Sequence, residues 1–278
     1  MAQVVWEQAS CTSSSRLQPL PLTLNPCVMS ATELIDSEER CREVCAGLLQ
    51  ENVLAVDIEG VNLCRHGEIC IVQVAKNNGP VFLFDVTVLG KIAFSAGLQE
   101  VFESGNVAKL MFDCRADSDA LYHLWQVTPN NVLDMQVLRD KSNGQHNSRV
   151  DGLAKVLKDF LSPNQLQDAE RIKVAGVALF APEKGGSYDV WKKRPLSNVL
   201  QKYCAQDVHH LFAMKDKWSG CLSTAHLRAV SERRMLNQIK AASFIKGPHR
   251  SLKDFEFTDE WLVPAHDSIA PASKRHKS

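Results

Sequence analysis

Three apolar runs rich in β-branched residues, Val53–Glu59, Ile69–Ala75 and Val81–Val86, follow one another closely, with Gly67 and Asn77-Asn78-Gly79 as turn signals between them. Side chains branched at Cβ suit a pleated, half-buried surface, and short polar turns join such runs antiparallel. The spacing predicts a three-stranded meander. Beyond it the pattern alternates: a helix near residues 92–104, a strand at Lys109–Phe112, a helix near 117–126, a strand at Val132–Met135 and a helix over 151–161. Strands separated by helices run parallel, because the helix carries the chain back across the sheet. The expected fold is therefore α/β, a mixed sheet of five to six strands with helices on its faces.

The flanks read differently. Residues 1–30 hold Ser13-Ser14-Ser15 and three prolines without a hydrophobic period, which predicts a flexible arm. A helix should follow, with Ser30 or Thr32 as cap and Leu34, Val44 and Leu48 on its apolar side. Residues 162–196, with Pro163, Pro182, Gly185-Gly186 and Pro195, read as a long connector, and a helix resumes from Ser197 to about Lys217. The expected division is 1–30 for the arm, 31–220 for the main domain, and 221–278 for a helical, basic extension. That extension ends in a disordered tail from about Pro264 to Lys274-Arg275-His276-Lys277.

Composition removes several classes. The apolar runs are short, far from the roughly 20 residues that cross a bilayer, so no membrane role is expected. No charged start precedes an apolar block, which argues against a secretory signal. Residues 8–30, Ser-rich with Arg16 as their only charge, leave organelle targeting open. Nine scattered cysteines without a C-x-x-C pair speak against a zinc knuckle or disulfide framework, and for buried thiols in an intracellular, reducing compartment such as cytoplasm or nucleus. There is no G-x-S-x-G elbow and no phosphate loop of the G-x-x-x-x-G-K type. Lysine plus arginine equals aspartate plus glutamate at 32 each, so any nucleic-acid binding must come from local charge.

Carboxylates supply the chemistry. D-x-E occurs at Asp36/Glu38, Asp57/Glu59, Asp168/Glu170 and Asp254/Glu256, but only Asp57/Glu59 lies in a strand-like run. Residues two apart on a strand share a face, so both carboxylates aim at one place. A hard divalent cation would relieve their repulsion and poor solvation; a solvated strand end fits the same pattern. Tyr203 and Asp207, four apart in a helix, also share a face, although a core tyrosine beside a surface aspartate has the same spacing. In Lys109–Leu121 an apolar strand runs into an acidic helix start, where Asp113, Asp117 and Asp119 are candidates and helix capping is the competing role.

Together these segments resemble the DEDD 3′–5′ exonuclease superfamily of ribonuclease H-like fold, in its tyrosine branch with ribonuclease D and the Werner exonuclease domain. Val56-Asp57-Ile58-Glu59-Gly60-Val61-Asn62-Leu63-Cys64-Arg65-His66-Gly67 and Trp191-Lys192-Lys193-Arg194-Pro195-Leu196 are similar to the Egalitarian-like "exonuclease 3′–5′ domain-containing" proteins. The resemblance covers about residues 33–220. It implies a two-metal phosphodiester hydrolase in which Asp57, Glu59, Asp117 and Asp207 hold two divalent ions, Mg²⁺ or Mn²⁺, and Tyr203 orients the attacking water. Asp117 is the residue eight after Lys109, as in the ribonuclease D pattern; Phe112, where ribonuclease D usually has His, departs from it. The implied partner is nucleic acid with a free 3′ end, single-stranded RNA or DNA, with RNA favoured by analogy. A catalytically silent RNA-binding adaptor on the same fold is the alternative. Lys192, Lys193 and Arg194, and the basic run Arg228–Lys253, are the candidates for phosphate contact, though solvated helix faces read the same way.

Overall fold

The computed structural model describes residues 31–144, 148–244 and 251–257. The arm at 1–30 and the tail from Pro264 lie outside the described residues, as do Lys246 and Arg250 of the basic run.

A short strand β1 (Thr32–Ile35) and a helix α1 (Glu38–Leu48) precede the meander β2 (Val53–Val61), β3 (Glu68–Lys76) and β4 (Val81–Asp85). β2 with β3, and β3 with β4, pair antiparallel as expected. The first element corrects the sequence reading. Thr32 is not a helix cap but a strand residue, and β1 runs parallel to β4 with Ile35 opposite Phe84. Pairing satisfies the outer edge of β4 and buries Ile35 completely, a gain that local propensity does not register. The helix starts only after Ser37.

Short helices α2 (Val86–Leu89), α3 (Lys91–Ala93) and α4 (Gln99–Glu103) lead to β5 (Ala108–Met111), α5 (Arg115–Trp125), β6 (Val132–Asp134) and α6 (Met135–Asn143). β5 lies parallel to β2 and β6 parallel to β5, giving the order β1-β4-β3-β2-β5-β6. This is a mixed six-stranded sheet, as the sequence predicts. Then come α7 (Leu153–Phe160), α8 (Pro163–Phe180), α9 (Asn198–His209), α10 (Leu211–Trp218) and α11 (Thr224–Lys240). Among the described residues no helix is long and apolar enough to cross a membrane.

Helix α8 is the largest correction, since it fills half of the stretch read as a connector. Pro163 is its first residue, where the missing N–H costs nothing, and the Gln165 side chain accepts from the Ser162 backbone N–H at 3.1 Å. Of its 18 residues only Ala169 and Gly176 are buried, and Ile172, Val177 and Phe180 are half-buried against the core, a narrow stripe interrupted by exposed residues. The single helix expected over 197–217 is broken at His210 into α9 and α10.

The core has two layers. Leu54, Val56 and Ile58 of β2 pack with α1 and α5 on one face of the sheet. Ala55 faces the other way, into a layer containing Leu133, Trp191, Leu200 and Val208. Strict alternation along β2 therefore puts Asp57 and Glu59 on the α9 side, at the point where the apolar row ends. Six of the described cysteines are buried and unbridged.

Candidate active site

Two features of β2 aim its carboxylates. The register with β3 shifts between Glu59 and Gly60, so Cys70 is an extra residue on the opposing strand and the strand end bends. A Cβ on Gly60 would stand 1.9 Å from the Glu68 carbonyl oxygen, so only glycine permits that approach. Helix α9 covers the same face. Ser197 caps it by accepting from the Leu200 N–H at 3.3 Å, and Tyr203 and Asp207, one turn apart, both point back to the sheet.

The result is a cleft of about 580 Å³ lined by Asp57, Glu59, Asp117, Tyr203 and Asp207, with Phe112 and Leu63 among its apolar walls. Carboxylate oxygens of Asp57, Glu59 and Asp207 all lie within 4.8 Å of one another. Asp117, in the first turn of α5, is buried and lines the cleft beside them. The neighbouring aspartates have other partners. Asp119 is fully buried and ion-paired with Arg65 at 2.6 Å, and Asp113 binds Arg115 at 2.6 Å.

Crowding shows in the protonation. Burial, then the charge of Asp207, pushes the Asp57 carboxyl up to about 7. Burial and the Asp57 and Asp207 charges push Glu59 well above the usual carboxylate range. Asp207 is also raised by burial, against the pull of Lys173. Burial and the neighbouring Asp207 drive the Tyr203 phenol upward, so it stays protonated and able to donate a hydrogen bond. Packed oxygen donors that hold their charges poorly alone suit a hard divalent cation of the Mg²⁺ or Mn²⁺ type. The donor set fits the group that the sequence resemblance implies.

The basic triplet stands elsewhere. Lys192 is exposed and pairs with Glu68 at 2.8 Å, Lys193 is exposed, and the guanidinium of Arg194 closes on the buried carboxylate of Asp85. None of the three is among the residues lining the cleft. Arg194 also donates to the Trp191 carbonyl at 2.8 Å, which fixes the turn leading into α9.

One side chain in the cleft had no signal in the sequence. Lys173 of α8 donates to the Tyr203 hydroxyl at 2.6 Å, and its ammonium lies 3.5 and 3.4 Å from the two oxygens of Asp207. It was unreadable because α8 itself was. Gly176 was missed for the same reason: a Cβ there would stand 2.4 Å from the Tyr203 ring.

Residues 32–219 match the profile of a family described as 3′–5′ exonuclease. The chain belongs to that 3′–5′ exonuclease family. The chain is also similar to "piRNA biogenesis protein EXD1" of Mus musculus, 35% identical over 171 residues, 60% of this chain and 29% of that protein. The chain thus spans under a third of that relative's length. Among solved folds, the RNase D: GMP complex of Trypanosoma brucei superposes with a TM-score of 0.67 at 23% identity, covering 89% of this chain and 77% of that one. The complex of the same RNase D with RNA U12 gives 0.66 at 23% identity, over 84% and 79%. At that identity these structures establish the exonuclease fold alone.

Proposed function

We propose that this chain is a metal-dependent 3′–5′ exonuclease that hydrolyses phosphodiester bonds of single-stranded nucleic acid, RNA in preference to DNA. The observation that carries it is the meeting of Asp57, Glu59 and Asp207 oxygens within 4.8 Å of one another, next to Tyr203, in a chain of the exonuclease family. In this reading Asp57, Glu59, Asp117 and Asp207 hold two divalent ions. Such ions, when bound, supply positive charge to both the attacking and the leaving oxygen of an in-line displacement. Tyr203 orients the water by hydrogen bonding; its phenol, held protonated, does not act as the base. Phe112 and Leu63 offer apolar surface to the base of the terminal nucleotide. The preference for RNA draws on the piRNA biogenesis of the EXD1 relatives and on the RNA bound by the similarly folded RNase D.

A second reading, a silent RNA-binding adaptor, draws on one feature. Lys173 already places a positive charge among the carboxylates, so the scaffold has a partial remedy for their repulsion without metal. Digestion of 5′-labelled single-stranded RNA and DNA with Mn²⁺, alongside Asp57→Ala and Asp207→Ala, separates the two. A ladder shortening from the 3′ end, lost in both variants, is the expected result. Substrate that is bound and left intact by the wild type overturns the enzyme and leaves the adaptor.

A further inference from the structure

Of the described residues lining the cleft, Lys173 is the only lysine or arginine, against the carboxylates of Asp57, Glu59, Asp113, Asp117 and Asp207, of which Asp113 is paired with Arg115. Its placement is unusual for a salt bridge. The ammonium is closest to a neutral group, the Tyr203 hydroxyl at 2.6 Å, and lies 4.4 Å from the centre of the same ring. Its two distances to Asp207, 3.4 and 3.5 Å, are nearly equal and too long for a tight ion pair, which closes to about 2.7–2.9 Å. The ammonium therefore faces both oxygens of Asp207, at the edge of the cluster, without closing on either.

The stem that delivers it is only partly packed. Lys173 projects from α8, which buries only Ala169 and Gly176, and its side chain is 29% exposed at the cleft margin. A four-carbon stem with three rotatable donors can swing away without disturbing the helix. The carboxylates, by contrast, stand on packed elements: Asp57 and Glu59 on a paired strand and Asp207 on helix α9.

We propose that Lys173 is the resident counter-cation of the active site: it neutralises part of the carboxylate cluster in the metal-free protein, and a divalent ion competes with it for the same oxygens. The proposal rests on the metal reading above. One ammonium offers one charge and hydrogen bonds, whereas a divalent ion offers twice the charge and direct coordination. The ammonium yields when the ion concentration is sufficient. Lys173 thus sets a threshold of metal concentration below which the site stays closed to metal but remains folded.

Titration calorimetry with Mn²⁺ on the full chain tests this, comparing wild type with Lys173→Met and Lys173→Gln. Both replacements keep an unbranched stem only one atom shorter, at a partly exposed helix position. Each is expected to bind Mn²⁺ about tenfold more tightly, because the competing charge is gone. Each should also melt several degrees lower in EDTA and recover in Mn²⁺. Equal or weaker Mn²⁺ binding in both variants, with binding intact in the wild type, overturns the counter-cation and leaves the metal site standing. A wild type that takes up no Mn²⁺ at all overturns the metal site and the counter-cation together.

Discussion

Tyr203 shows how one side chain can be read from its surroundings. Trp191 and Phe180 flank its ring, at centroid distances of 6.2 and 5.3 Å, and its hydroxyl meets Lys173 and the carboxylate cluster. Tyr203→Phe keeps the ring and loses only the hydroxyl. It is expected to slow turnover by about 10–100-fold while Mn²⁺ affinity stays within twofold of wild type, with kcat and calorimetry as the paired readouts. A fall in metal affinity would show that the hydroxyl serves the ion and not the water. Lys109 makes the opposite case, a buried charge with no place in the chemistry. It is fully buried, donates to the Ser104 carbonyl at 2.6 Å, and burial lowers its ammonium from the usual lysine range to about 7. The unfolded chain holds that proton up to about 10.4, so between these values unfolding takes up a proton and stability rises with pH. Lys109→Met should flatten that rise. It should also raise the melting temperature at pH 7 by about 2–4 °C for each kcal/mol of desolvation removed.

At the scale of elements, α8 and α9 form the working pair. Their contact is made close by Ala169 and Gly176, and the missing side chain at 176 is the space that the Tyr203 ring occupies. Gly176→Val would force either the helix outward or the ring aside. Overpacking of this kind costs about 1–3 kcal/mol, and a displacement of the order of 1 Å in a catalytic group costs about 100-fold in rate. The expected outcome is a loss of activity out of proportion to the loss of stability, read from kcat and urea unfolding on the same preparation. A variant with wild-type kcat would mean that Tyr203 tolerates the shift. The β2 end has the same logic: Gly60 allows the Glu68 carbonyl to approach, and that approach bends the strand carrying Glu59.

The whole molecule is closed by charge as well as by apolar packing. Helix α11 lies against α5 and β6, and its Arg234 is fully buried, donating to Asp134 and Gln136 at 2.6 Å and to Asp254 at 2.8 Å. Asp134 in turn accepts from the backbone N–H groups of Asp113 and Cys114, so the ion pair reaches the loop that opens α5 and carries Asp117. From the other side Arg65, paired with Asp119, donates to the carbonyls of Gln238 and Ala241 at the end of α11. Arg234→Ala leaves Asp134 buried without its charge partner and is expected to cost about 3–5 kcal/mol, measured by denaturant unfolding. Arg228, which carries no such network, serves as the control and should change stability by less than about 0.5 kcal/mol on replacement by Ala. A small effect at Arg234 would mean that the domain closes without this anchor.

The sequence alone determined the meander, the strand-helix alternation after it, and the convergence of Asp57 with Glu59 and of Tyr203 with Asp207. Each is a local property: β-branched runs, a period of two on a strand, a spacing of four on a helix. Tertiary structure decided what depends on distant partners. Thr32–Ile35 became a strand because β4 offered an edge, and α8 became a helix although only two of its residues are buried. Among Asp113, Asp117 and Asp119, alike in local sequence and separated there only by the family resemblance that pointed to Asp117, Arg115 and Arg65 pair with the outer two. The basic residues divided in the same way: Arg194 and Arg234, indistinguishable in the sequence from surface charges, went to buried carboxylates, and Lys173 came to the cleft. Charge type is written in the residue, but the partner that gives a charge its role is chosen by the fold.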